Sequence, residues 1–227
     1  SEMCIRDRLC KFDGQRVTMA SQIAGADETV SSLYSVKSEQ ATMLSFDTYN
    51  YLVHYFGQPQ GSMADDPNGT LGGDYEFVIS DATADRIELK GKKYGNRIVM
   101  KAFSADQTWK QYLTRIKKVE DDAFFYEYDL RMDGLYTGQM LRSNYTFIVT
   151  YYDEVGKVHQ KTVPFMFTTD GMRFHEPVTI DGQTMQNFVW KNEEISFVCT
   201  DEGATEVKLA GVYTAGYQSY DYYPGTY

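Results

Sequence analysis

One hairpin-sized unit appears twice in this chain, and that repetition leaves little freedom of fold class. The first copy, residues 74–91, reads DYEFVISDATADRIELKG; the second, residues 194–211, reads EISFVCTDEGATEVKLAG. They align without a gap, with Phe77/Phe197, Val78/Val198, Asp81/Asp201, Ala84/Ala204, Leu89/Leu209 and Gly91/Gly211 identical. Tyr75, Phe77 and Ile79 alternate with Glu76, Val78 and Ser80, so the first set is expected to face a core and the second water. Residues 81–84 supply turn chemistry. On the return strand Ile87 and Leu89 point inward and Arg86, Glu88 and Lys90 outward. The second copy puts Ile195, Phe197, Cys199, Val207 and Leu209 inward. Cys199 stands where Ile79 does and reads as a small buried hydrophobe, with no flanking His or Lys to activate it. A lone hairpin cannot bury its own apolar face. Two copies therefore imply two similar β-subdomains, or two halves of one sheet system.

The rest of the chain fits an all-β, mainly antiparallel fold: two similar β-meander or sandwich-like halves with one short helix between them. Residues 1–11 read as a doubtful leader, an artefact or a disordered segment, in which Cys4 and Cys10 carry no weight. Residues 12–104 form the first β repeat, 105–122 a helical connector, and 123–227 the second β repeat. The second repeat ends in a Tyr- and Gly-rich tail that stops abruptly, as a truncated chain would. Residues 43–56, MLSFDTYNYLVHYF, read as one long strand with Tyr49, Tyr51, Val53 and Tyr55 on one face. A Gly-, Asp- and Asn-rich loop follows, long enough to be functional. In the connector, Ser104 and Gln107 fit a capping box, and Trp109, Tyr112, Leu113 and Ile116 form one apolar stripe. In the second half, residues 145–152 and 157–167 read as a hairpin, and Asp133-Gly134 and Asp181-Gly182 as turns.

The 227 residues carry a formal net charge of -10, a poor surface for nucleic acid, which needs clustered Lys and Arg. Lys90, Lys92, Lys93 and Arg97 flank a turn and read as solvated edge charge. His54, His159 and His175 are isolated, and no metalloprotease, nucleophile-elbow, phosphate-loop or dinucleotide motif is present. Asp65, Asp66, Asn68 and Asp74 offer oxygens for calcium but lack EF-hand spacing. No catalytic residue, metal site or cofactor is therefore assigned. Aromatics make up 15% of the chain, with 19 Tyr and 13 Phe. That surplus suits cross-strand packing, and it also suits a stacking surface for a flat ligand such as a sugar ring.

The stretches MLSFDTYNYLVHYF and GGDYEFVISDATADRIELKGKKYGNRIVM carry a resemblance. The chain resembles a family of lipoproteins from Bacteroidota known as domain-of-unknown-function family 4302, from about Ser32 to Ile116 and less distinctly beyond. The resemblance implies secretion, a lipid anchor lying outside this chain, and a place on the outer membrane beside nutrient-uptake systems. It carries over no catalytic residue.

These readings converge on a non-catalytic, extracytoplasmic surface lipoprotein module, an accessory ligand-binding component of an outer-membrane nutrient-uptake system. Its expected partner is a small ligand, glycan or peptide, with Tyr49, Tyr51 and Tyr55 as candidate contacts. The alternative is a structural or assembly protein that binds another envelope protein. A hydrolase ranks last.

Overall fold

A computed structural model of the protein describes residues 2–5, 8–22, 24–38, 41–54, 73–153 and 155–213. It divides into two compact units, Ser1–Thr114 and Arg115–Tyr227. The fold is all-β and antiparallel, as the repeat implies.

The first unit holds β1 (Glu2–Ile5), β2 (Arg8–Asp13), β3 (Arg16–Ser21), β4 (Val30–Ser38), β5 (Thr42–Phe46), the short helix α1 (Tyr51–His54), β6 (Glu76–Ala82), β7 (Arg86–Gly91) and β8 (Arg97–Ala102). Each strand pairs with the next, and β8 closes onto β1 through Met3↔Ala102 and Ile5↔Met100, giving a closed eight-stranded barrel. An eight-stranded barrel is just wide enough for side chains to fill. Here Cys10, Val17, Met19, Leu44, Phe46, Phe77, Leu89 and Met100 fill it, joined by Leu52 and Val53 of α1.

Two expectations change in this unit. Within the stretch read as a doubtful leader, β1 and β2 belong to the barrel, and Leu9 and Cys10 are fully buried. Residues 43–56 are not one strand. β5 ends at Phe46, and Asn50, fully buried, accepts the Leu52 amide (3.1 Å) through Oδ1 and donates to Ser32 Oγ (3.1 Å). Asn is a strong helix cap, and this one starts α1, which buries the adjacent residues Leu52 and Val53 in the same core cluster.

Helix α2 (Trp109–Asp122) follows. Its cap lies one turn later than the sequence implied. Thr108 and Gln111 form a reciprocal capping box, Thr108 N–H to Gln111 Oε1 (2.8 Å) and Gln111 N–H to Thr108 Oγ1 (3.2 Å), while Ser104 bonds to Asp106 instead. In the first unit its opening turns, through Trp109, Tyr112 and Leu113, cover the outer wall of the barrel at Leu9 and Ala20. Those two residues face each other across β2 and β3.

The second unit holds β9 (Glu127–Met132), β10 (Leu135–Ser143), β11 (Thr146–Tyr152), β12 (Val158–Phe167), β13 (Gly171–Ile180), β14 (Gln183–Lys191), β15 (Ser196–Cys199) and β16 (Lys208–Gly211). It too is a closed barrel, completed by β16 pairing with β9. Burial alternates strictly along β9 and β11, and along β10 from Gly138 onward. The interior is packed with rings: Phe147 stacks on Phe165 at 4.3 Å, and Tyr128, Phe174 and Phe197 are almost wholly buried. Asp133-Gly134 and Asp181-Gly182 turn with both residues at positive φ (50° and 80°, 47° and 75°), the tight hairpin geometry that the right-handed strand twist favours.

The first barrel carries apolar side chains inside, while the outward faces of its β7 and β8 bear charge, as in the Arg97–Glu88 pair. That is the reverse of a lipid-embedded barrel. No helix among the described residues is long and apolar enough to cross a membrane.

Candidate functional site

With both barrel interiors occupied by side chains, a site for a ligand has to lie on the surface. The strongest arrangement among the described residues lies where α1 meets the start of the first repeated hairpin. The His54 ring sits between two tyrosines, its centroid 5.4 Å from Tyr49 and 5.3 Å from Tyr75, nearly parallel to Tyr75 at 18°. The Asn50 backbone fixes the imidazole, with Nδ1 lying 3.1 Å from the amide nitrogen and 3.0 Å from the carbonyl oxygen. Tyr49 is 61% exposed and Tyr75 43%. Packed tyrosines seldom show so much ring to water, so this is a ladder of rings open on its outer side.

A cleft of about 310 Å³ adjoins it, lined by Gly73, Asp74, Tyr75, Glu76, Lys92 and Lys93. Its floor is built by Asp74. That carboxylate is nearly buried and accepts the backbone N–H of Lys93 (2.8 Å), Tyr94 (3.0 Å) and Asn96 (3.4 Å) and the Asn96 side-chain amide (2.9 Å). Asp74 is thus spent on holding the turn, and the calcium role weighed for it is replaced by this one. Asp65, Asp66 and Asn68 lie outside the described residues. Above the floor, Lys92 Nζ and Glu76 Oε2 pair at 3.1 Å, both partly open to water. Lys93 leans over the Tyr94 ring, 4.8 Å from its centroid.

Of the tyrosines named from the sequence, Tyr49 belongs to the ladder. Tyr51 does not: it lies in α1 and donates its phenol proton to Glu28. Burial and the Glu28 carboxylate push its pKa up to about 12. Tyr55 lies outside the described residues. The common strand face proposed for the three is absent, because the helix breaks the period-two pattern. Sequence reasoning missed Tyr75 and His54. Tyr75 alternates with Phe77 and Ile79 and so read as core. Its counterpart Ile195 was the available signal, since an aliphatic residue in one copy and a phenol in the other mark a position released from the core.

Other groups prove structural. Asp201, identical to Asp81 in the repeat, accepts the amides of Gln186 (2.5 Å) and Asn187 (2.7 Å) and the Asn187 side chain (2.6 Å), tying β15 to β14. Burial raises its pKa, the hydrogen bonds outweigh burial, and the net shift is downward. Cys199 is buried, and desolvation lifts its thiol to about 11, which makes it a packing residue and no nucleophile at neutral pH. His159 Nε2 pairs with Asp153 at 2.8 Å within the β11–β12 hairpin, where Asp153 also accepts the turn amides of Val155 and Lys157. A second cleft, about 390 Å³, lies along Gly14, Gln15 and residues 33–36, and its one ring, Tyr34, packs edge-on to Phe12.

No curated protein and no solved structure matches this chain. A family model does, over residues 7–192, most of the length. By that match the chain belongs to the family described as Domain of unknown function (DUF4302).

Proposed function

We propose that this protein is a non-catalytic, extracytoplasmic binding module, lipid-anchored at the outer membrane as an accessory component of a nutrient-uptake system. The observation that carries the binding role is the Tyr49–His54–Tyr75 ladder beside a preformed cleft. Rings held by their neighbours lose little freedom when a ligand stacks on them, and a rigid floor adds to that preorganisation. The placement at the outer membrane rests on the resemblance to Bacteroidota lipoproteins. A thermal-shift screen against polysaccharide fragments, peptides, haem and divalent cations tests the binding role. Ligand at a hundred times its dissociation constant adds about 2.7 kcal/mol. That shift should vanish in a Tyr49→Ala/Tyr75→Ala double variant of unchanged basal stability. A shift that survives the double variant would remove the ladder from the reading.

A different observation favours the assembly role. On the second barrel Leu135, Tyr136, Tyr152, Val155 and Val158 are all exposed, with Tyr152 directly opposite Val158 across β11 and β12. Exposed apolar groups gathered in this way mark protein contacts. Capture of a defined envelope protein that is lost in Tyr152→Lys/Val158→Lys, but not in the tyrosine double variant, would establish that role.

A further inference from the structure

We infer that the ligand of the ladder and cleft is a neutral carbohydrate, with one sugar ring stacked on Tyr75 and its hydroxyls held by Glu76 and Lys92. The inference rests on the binding role proposed above and names its ligand class. The chemistry of the cleft decides the class. Tyr75 is backed by the imidazole of His54 and lines the cleft, so an apolar platform stands beside an ion pair. Glu76 supplies only acceptors and Lys92 only donors, and the two lie 3.1 Å apart with part of each exposed. A hydroxyl is both donor and acceptor, so two neighbouring hydroxyls on a sugar satisfy both groups at once. An anion would meet the Glu76 carboxylate and a chain of net charge -10. A cation would meet Lys92 and Lys93. A wholly apolar ligand would desolvate the pair without replacing its hydrogen bonds. A peptide adding itself as a strand needs an open sheet edge, and both sheets close into rings. A pyranose, with a C–H face for the ring and hydroxyls at its rim, meets each of these demands.

Isothermal titration of the full chain with oligosaccharides cut from cellulose, starch, xylan and mannan tests this. At least one should bind. Tyr75→Ala should weaken it at least about tenfold, Tyr75→Phe should keep most of the affinity, and Glu76→Gln and Lys92→Met should each weaken it. Tyr51→Phe, away from the cleft, should leave binding unchanged, and urea midpoints would confirm that each variant is folded. Binding indifferent to Tyr75→Ala overturns the inference, as does a clean absence of binding across the four sugars. A planar non-sugar such as haem that binds with Tyr75 dependence overturns the carbohydrate class and leaves the binding module standing. If neither sugar nor non-sugar engages Tyr75, both fail together.

Discussion

Gly91 and Gly211 close the two copies of the hairpin, and each is glycine for its own reason. A Cβ on Gly91 would lie 1.8 Å from Asp74 Oδ2, while one on Gly211 would lie 2.9 Å from the Phe125 ring. A carboxylate holding four donors cannot retreat without leaving them unpaired, whereas a ring edge can swing. Gly91→Ala should therefore destabilise by about 2–4 kcal/mol and Gly211→Ala by about 1 kcal/mol, measured by urea unfolding. The first substitution should also weaken ligand binding, because it dislodges the floor of the cleft. Asp201 makes a pH prediction. Its folded pKa is below the unfolded value of about 3.9, so its contribution is present above that value and is lost as pH falls through the folded pKa. Asp201→Asn should be less stable than the parent at neutral pH, and its stability should fall less steeply below about pH 4. Asp153, held low mainly by His159, acts in the same direction, so the slope shrinks without vanishing. An unchanged slope would mean that Asp201 is equally stabilised in the unfolded chain.

Among the elements, the repeat was legible because period-two alternation survives any environment, and so were the Asp-Gly turns, whose conformation depends on the residues themselves. The pairing inside the repeat was not. Phe77 lies opposite Gly91, but Phe197 lies opposite Leu209, a register two residues apart for the same spacing. An even shift keeps every side chain on its face, so the hydrophobic pattern is blind to it. What differs is the turn: Asp201 is drawn to the β14 amides, whereas Asp81 stays exposed in β6. α1 was misread for a related reason. YNYLVHYF satisfies alternation, and only Asn50 and its partner Ser32, distant in sequence, decide for a helix. The same distance hid the ladder, since nothing near His54 in the chain points to Tyr75. α2 offers a direct check on capping. Thr108→Ala removes the hydroxyl that accepts the Gln111 N–H, keeps the Thr108 N–H bond to Gln111, and should lower stability by about 1 kcal/mol, whereas Ser104→Ala, outside the box, should stay within about 0.5 kcal/mol.

At the scale of the whole molecule, the two barrels match only after a cyclic shift. The repeated hairpin is β6–β7 in one and β15–β16 in the other, and the strand beside it, which closes the ring, is β8 in the first and β9 in the second. β8 comes last in its unit and β9 first, so closure joins strands distant in sequence and no local pattern announces it. In the first barrel the partner of β8 is β1, inside the stretch that reads as a doubtful leader. A chain beginning at Lys11 would lose β1 and also Leu9 and Cys10, both fully buried. β8 would then lose its β1 partner and β3 its partners at Met19, Ala20 and Ser21, leaving unpaired edges, the condition that invites intermolecular pairing. Hydrogen exchange should show protection lost across residues 16–102 and retained across 127–211, with self-association that the full chain lacks. Cys10→Ser in the full chain should be milder, since it places one hydroxyl in the core and keeps the ring closed. Equal protection of the first barrel in both chains would show that its closure through β1 adds nothing to its stability.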